Sequence, residues 1–200
     1  MQLLVATHNP GKMQEFRHLL ADLPVEIRFP ADFNLRLAIP EDGDTYLQNA
    51  SQKALAYANM TKRITLADDS GLEVDALGGA PGLYSARYVP GEDMDRVTAL
   101  LTTLRDVPVA ERTARFRCVI VIATPQGEVY SAEGVCEGQI TQSAAGQGGF
   151  GYDPIFYLPD LGCTMAQIPE QQKNQISHRA RAVQAALPIL RQILDEDKNN

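Results

Sequence analysis

The sequence predicts an α/β fold on a mixed, twisted sheet flanked by helices. Three observations predict it. Strand-like and helix-like segments alternate from Leu3 to Leu104. Two longer strand-like segments, joined by the turn "TPQG", then break the alternation. The chain closes on an apolar stripe at helical spacing. Alternation favours parallel strands joined through helices, and an inserted hairpin adds antiparallel pairing.

The elements follow in order. Leu3 to Ala6 is a short apolar run, read as a buried strand. Asn9 is a helix cap with Pro10 at the first helical position, where a missing N–H does no harm. Met13, Phe16, Leu19 and Leu20 then recur at helical spacing. Val25 to Phe29 alternates as a strand, and a loop runs on through Pro40. Thr45 with Gln48 three residues later is a capping-box pattern. It opens a helix to about Met60, with Leu47, Ala50, Ala54 and Ala58 expected to face the core. Asn49 and Lys53 are four residues apart and share another face of it.

Ile64 to Ala67 is a strand running into an acidic stretch, and Asp95 to Leu104 is a helix. Ala114 to Thr124 and Val129 to Gly138 are the hairpin strands. Ile155 to Leu158 is a short strand and Gln171 to Ile176 a polar helix. Ser177 opens a last helix whose stripe is Val183, Ala186, Leu187, Leu190 and Leu194. Pro188 either kinks that helix or lies on its exposed side. The tail "DEDKNN" is expected to fray.

Composition bounds function. The chain has 200 residues, 44% of them apolar, enough core for one globular domain over residues 1–200 or two lobes around a cleft. There are 25 acids against 18 bases, a net charge of −7. That balance argues against a nucleic-acid binder, which carries a basic patch or stripe. Cys118, Cys136 and Cys163 are odd in number and form no CxxC pair, so they read as reduced packing residues. The stretch "MQLLVATHNPGK" has no basic leader and too short an apolar run for a signal peptide. The longest apolar run, Cys118 to Ala123, is too short to span a bilayer. A cytoplasmic location is expected, away from any membrane.

Four stretches carry chemistry. In "ATHNPGK" a strand ends and a helix begins with Lys12 in its first turn. Free N–H groups and a positive helix end favour a phosphate there, though an ordinary capped turn has the same spacing. In "ADDSGLEVDALGGAPGLYSARY" four carboxylates, Asp68, Asp69, Glu73 and Asp75, fall within eight residues. Neighbours on a strand point to opposite faces. Asp68 and Asp69 reach one site only if the chain turns, and Ser70-Gly71 offers that turn. Glu41 with Asp69 suits a hard cation that shares its shell with phosphates, while a solvated acidic loop is the plainer reading.

In "GQGGFGYDPIFY" glycines surround Phe150, a setting for a ring that stacks on a base or for a simple turn with a core aromatic. Lys173 and "SHRARA" place Lys173, His178 and Arg179 near a helix start. A cationic cluster there suits an anion lying over it, or else forms a solvated basic face.

Together these segments, with "TYLQNASQKA", resemble the inosine triphosphate pyrophosphatase family, and within it the bacterial dITP/XTP pyrophosphatase branch. They run from residue 6 to residue 182. His8 stands where relatives commonly have Gly. The resemblance implies an elongated two-lobed α/β fold with the active-site cleft between the lobes, and a homodimer. It implies Mg²⁺-dependent hydrolysis of a purine nucleoside triphosphate (ITP, dITP or XTP) to monophosphate and pyrophosphate. By position it assigns the phosphates to Thr7, His8, Asn9, Pro10, Gly11 and Lys12, with Lys53 as a further cation. Glu41 and Asp69 would hold the metal, with Asp68 a further candidate, and Asp69 would be the catalytic base. Ser70, Phe150, Gly151, Tyr152, Asp153, Lys173, His178 and Arg179 would line the nucleotide. Two rivals stand beside this reading: a pyrophosphatase for other modified nucleotides such as methylated pyrimidines, and a non-catalytic nucleotide-binding module.

Overall fold

Strand β1 (Gln2–Val5) leads into helix α1 (Pro10–Leu19), strand β2 (Glu26–Arg28), helix α2 (Tyr46–Thr61) and strand β3 (Thr65–Val74). Helix α3 (Asp93–Thr103) precedes strands β4 (Thr113–Ala123) and β5 (Val129–Ile140). Short strands β6 (Phe156–Leu158) and β7 (Cys163–Thr164) lead to helices α4 (Glu170–Ile176) and α5 (His178–Lys198). These elements come from a computed structural model that describes residues 1–37 and 39–198. Asn199 and Asn200, the end of the tail expected to fray, lie outside the described residues.

The seven strands form one sheet in the order β2-β1-β3-β4-β5-β6-β7. β1 pairs parallel with β2 and β3, while β6 pairs antiparallel with β5 and β7. The expected mixed sheet is therefore present. The turn between β4 and β5 is closed by Thr124 N–H donating to Glu128 C=O at 3.0 Å and by Gly127 N–H donating to Thr124 C=O at 3.0 Å.

The chain divides into two compact units. The first comprises Met1–Asp69, Cys118–Gly134 and Arg179–Asn200. Its core is built from Leu3, Val5, Phe16, Leu20, Ile120, Ile122, Val183, Ala186 and Leu190. The second comprises Ser70–Arg117 and Val135–His178, around Leu72, Val74, Leu100, Phe116, Ile155 and Phe156. Three strands, β3, β4 and β5, contribute residues to both.

Local chemistry fixes the elements that carry the site. The Asn9 side chain accepts from Lys12 N–H at 3.1 Å, and Pro10 opens α1 as expected. Thr45 caps α2 by accepting from Gln48 N–H at 3.1 Å. Gln48 in turn accepts from Asp44 N–H. The register of β1 on β3 pairs Val5 with Leu66, so the chain leaves β1 at the level where β3 carries Asp68.

Two expectations need correction. Leu47 does not face the core: it is 46% exposed. The buried stripe of α2 is Tyr46, Asn49, Ala50, Ala54, Tyr57 and Ala58, and Leu47 falls off it. The chain also does not turn at Ser70-Gly71. β3 runs unbroken through both, because Leu72 and Val74 continue into the second core and are fully buried. On α5, Pro188 lies on the exposed side, opposite the buried Val183, Ala186, Leu190 and Leu194.

Candidate active site

In the first unit the loop after β1 organises itself. Thr7 Oγ1 accepts from Asn9 N–H at 3.2 Å, and the Thr7 side chain is buried. His8, Asn9 and Pro10 are exposed at this loop, with Gly11 half-buried behind them. His8 Nε2 lies 3.0 Å from the Tyr57 hydroxyl.

Lys12 reaches from α1 to β3, where its Nζ lies 2.8 Å from Asp68 Oδ2. The same oxygen receives Arg179 Nη2 at 3.2 Å. Arg179 Nη1 bonds Glu15 Oε2 at 2.5 Å, and Glu15 sits one turn along α1 from Lys12. Asp68 and Arg179 are each 1% exposed. Burial alone would raise the Asp68 carboxyl, but Lys12, Arg179 and Lys53 hold it far below the usual carboxylate range. Burial also works against the Arg179 charge, yet Glu15 and Asp68 raise its pKa further.

Asp69 behaves differently, because adjacent strand residues face opposite ways. It meets α2, where Asn49 Nδ2 donates to its Oδ2 at 2.9 Å. Its carboxyl is raised above the ordinary value, chiefly by burial and also by the nearby charge of Glu41. Lys53, four residues after Asn49, pairs with Glu41 and donates to the Asp68 carbonyl at 3.0 Å. Burial opposes the charge of Lys53, but Asp68, Glu41 and Asp69 together raise its pKa.

The first unit thus gathers Lys12, Lys53 and Arg179 with Glu15, Glu41, Asp68 and Asp69. Carboxylates exceed cations by one in this cluster. Among the described residues, no group of three or more His, Cys, Asp or Glu side chains is set to hold a metal ion. A buried carboxyl raised in part by the charge of a second carboxylate suits a hard divalent cation whose remaining ligands come from phosphate and water. Glu41 and Asp69 fit that description.

In the second unit the glycine-rich segment ends at Asp153. Asp153 Oδ2 accepts from Phe150 N–H at 2.9 Å and pairs with Lys173 of α4. Both partners of that pair are buried. Lys173 Nζ stands 4.8 Å from the centroid of the Phe150 ring, a cation–π arrangement. Gly149 has φ +71°, and a side chain there would collide with the Asp153 carboxylate. The Tyr152 hydroxyl donates to Ser85 C=O at 3.0 Å, and Gly151 N–H donates to Asp93 Oδ2 at 2.7 Å. His178 stacks on Phe116 with ring centroids 4.7 Å apart. Ser70 follows Asp69 on β3 and is half-buried.

Lys173, His178 and Arg179 do not form one exposed basic cluster. All three are buried, each with its own partners: Asp153, Phe116, and the Glu15–Asp68 pair. The amides of Phe150 and Gly151 are likewise committed to carboxylates. Two residues of the first cluster escape a sequence reading of the site. Asn49 left a signal, its position one turn before Lys53. Glu15 left a weaker one, an acid beside Phe16 on the apolar side of α1. Glu73 and Asp75, by contrast, pair with Arg117 and Arg115 of β4 and belong to the sheet surface.

No helix among the described residues is long and apolar enough to cross a membrane. The chain is similar to the dITP/XTP pyrophosphatase of Desulforamulus reducens, with 48% identity over 195 residues, 96% of this chain and 97% of that one. It is also similar to the dITP/XTP pyrophosphatase of Shouchella clausii, 48% identical across 92% of this chain and 93% of that one. Of solved structures, the HAM1 protein of Coxiella burnetii matches with a TM-score of 0.86 and 36% identity, covering 96% and 99% of the two chains. The Ham1 protein of Staphylococcus aureus matches with a TM-score of 0.83 and 37% identity, covering 98% and 100%. The family model described as the Ham1 family spans residues 3–189, nearly all of the sequence, and the chain therefore belongs to the Ham1 family.

Proposed function

We propose that this protein hydrolyses deaminated purine nucleoside triphosphates (ITP, dITP and XTP) to the monophosphate and pyrophosphate. The observation that supports it most is the first-unit cluster: a buried Asp69 oriented by Asn49, beside Glu41 and Lys53, in a chain 48% identical to enzymes named dITP/XTP pyrophosphatase.

In this reading Thr7 to Lys12 and Lys53 hold the triphosphate. Lys12 and Lys53 then exchange part of their bonding with Asp68 and Glu41 for phosphate oxygens. Asp69 orients a water molecule toward the α-phosphorus and takes its proton. The new bond joins the water oxygen to that phosphorus, and the bond to the bridging oxygen of pyrophosphate breaks. A Mg²⁺ ion held by Glu41 and Asp69 would polarise the phosphate oxygens and offset their charge. Asp68, already engaged by Lys12 and Arg179, is the weaker candidate for that role. Ser70, Phe150 to Asp153, Lys173 and His178 serve the nucleoside. Arg179 acts from its buried position by holding Asp68 and Glu15.

Base choice follows from hydrogen-bond chemistry. Hypoxanthine and xanthine carry an oxygen at the purine 6-position where adenine carries an amino group. A donor aimed at that oxygen, from a group such as His178, would face another donor in adenine. A site built on such a bond discriminates by up to ~10⁴. Guanine keeps the oxygen, so its 2-amino group must meet a poor partner or a clash. We further propose that residues 1–200 act as a single domain, that the protein is a cytoplasmic homodimer, and that it binds neither nucleic acid nor membrane.

The test is chromatography of products from ITP, XTP, dITP, GTP and ATP, with and without Mg²⁺. IMP plus pyrophosphate from ITP, with little product from ATP, is expected only when Mg²⁺ is present. IDP plus orthophosphate, or equal rates for ATP, would overturn the reading. Light scattering on the eluting protein reports the dimer.

A further inference from the structure

Both peptide N–H groups that flank the Phe150 α-carbon are held by carboxylates. Phe150 N–H donates to Asp153 Oδ2 at 2.9 Å, and Gly151 N–H donates to Asp93 Oδ2 at 2.7 Å. A residue's backbone has two soft dihedrals, and these two bonds restrain one on each side of the α-carbon. The neighbours offer no stiffness of their own: Gly149 and Gly151 have φ +71° and +63°. Glycine reaches such angles without strain but also leaves them easily. The backbone from which the Phe150 ring projects therefore depends on the two carboxylates, while Lys173 stands 4.8 Å from the ring centroid.

Asp153 belongs to the same loop, but Asp93 does not. It is the first residue of α3, 58 positions away in sequence. Its other oxygen, Oδ1, accepts from Arg96 Nη2 at 2.7 Å, and Arg96 Nη1 donates to Gly91 C=O at 2.8 Å. One oxygen is thus fixed to α3 and the other reaches across to the glycine loop. Partial burial acts against its charge, but Arg96 and the Gly151 N–H bring its carboxyl below the ordinary value. Asp93 stays ionised at neutral pH, so the bond to Gly151 is charge-assisted.

We propose that Asp93 is a positioning residue for Phe150, fixing the direction in which the glycine loop presents the ring to the purine base. The proposal rests on the nucleotide pyrophosphatase reading above. A carboxylate in the first turn of a helix also favours that helix through its dipole, which would be a purely structural role. Asp95 separates the two. It lies in the same first turn, but its Oδ2 accepts from Glu92 N–H at 2.8 Å, within its own helix start rather than across to the glycine loop.

The experiment compares Asp93→Ala, Asp93→Asn and Asp95→Ala with the unmodified protein. It measures kcat and KM for ITP, and hydrogen exchange of the peptide covering residues 146–153. Asp93→Ala should raise KM about 10-fold, the scale of one charge-assisted hydrogen bond, with kcat within about twofold. Exchange in the loop peptide should quicken by a similar factor. Asp93→Asn keeps one acceptor oxygen, which serves the Gly151 N–H only with its amide NH2 turned toward Arg96, and should recover part of both. Asp95→Ala should change neither. If Asp93→Ala does not fold, Asp93→Ser, too short to reach Gly151, carries the same comparison. Unchanged KM and exchange in the Ala or Ser variant would overturn the proposal. So would a fall in kcat alone, or an Asn variant as impaired as the Ala variant. If the unmodified protein turns over no purine triphosphate, the proposed function fails and the link to a base fails with it. The exchange comparison then shows separately whether Asp93 holds the loop.

Discussion

The side-chain amide of Asn49 donates to Asp69 Oδ2 at 2.9 Å, while its own oxygen accepts from Gly43 N–H at 2.8 Å. One amide thus orients the candidate base and anchors the segment that follows Glu41. The two partners also fix which way the amide points, since a carboxylate needs a donor and an N–H needs an acceptor. Asn49→Asp removes the donor and sets a second carboxylate against Asp69. The Asn49 bond lowers the proton affinity of Asp69, so its loss raises that affinity. The acid limb of the kcat/KM profile should move to higher pH, and turnover at neutral pH should fall. A profile unmoved by Asn49→Asp would mean that Asp69 does not govern that limb.

Asp69 itself is buried and its carboxyl is raised, chiefly by that burial. The native state therefore favours its protonated form relative to the unfolded chain. Stability from this group is present at low pH and is lost as pH rises through the raised value. Asp69→Asn mimics the protonated shape. It should lower turnover by ~10² or more, the scale of a lost acid–base group. It should also leave the fold intact or stabilise it by up to about 1 kcal/mol, as removal of a strained functional charge often does. Near-normal turnover in the folded variant would remove Asp69 from the mechanism. Marked destabilisation would contradict the account of its environment.

Asp68 shows the opposite sign. Despite full burial, its carboxyl is held far below the ordinary range by Lys12, Arg179 and Lys53. Its contribution is present above the ordinary carboxylate value and is lost as pH falls through the lowered one. Asp68→Asn leaves Arg179 and Lys12 without that charge inside the unit. Breaking a buried pair in this way costs ~3–5 kcal/mol. Chemical denaturation near pH 7 and near pH 3 checks it. The gap between the variant and the unmodified protein should be wide at pH 7. An equal or wider gap at pH 3 would contradict the assigned ionisation.

The sequence carries some of this plainly and some not at all. Asn9 and Thr45 each accept from an N–H three positions on, and Pro10 occupies the first helical position, so these roles are visible in a short window. The mixed sheet is legible because the hairpin interrupts an alternating pattern. The fate of Arg179 is not legible. Its partners Glu15 and Asp68 lie 164 and 111 positions away, and a basic residue in a polar segment looks exposed until the fold brings them in. The unbroken course of β3 is hidden for a related reason. Ser70-Gly71 is a turn signal locally, but the buried Leu72 and Val74 outweigh it. Leu47 misleads because the buried stripe of α2 runs through its neighbour Tyr46, a residue with a polar end, and through Asn49.

The last prediction contrasts two lysines at opposite ends of one stretch of chain. Lys53 is held by Glu41 and by the Asp68 carbonyl, within the carboxylate cluster of the first unit. Its side chain is 15% exposed, enough to meet a phosphate without leaving the cluster. Lys53→Ala should cost ~2–4 kcal/mol of transition-state stabilisation, the scale of one electrostatic donor. Lys62 ends α2 with φ 53° and its N–H bonded to Ala58 C=O at 2.9 Å. That left-handed conformation suits glycine and costs a side-chain-bearing residue ~1 kcal/mol. Lys62→Gly should therefore raise stability by about that amount and leave kcat/KM unchanged. Both variants remove one positive charge from the same protein, so any general effect of net charge is shared. Thermal melts and ITP kinetics on the pair separate the roles. Equal small losses of activity in both would make Lys53 a surface residue, and a lower melting temperature for Lys62→Gly would contradict the helix-end assignment.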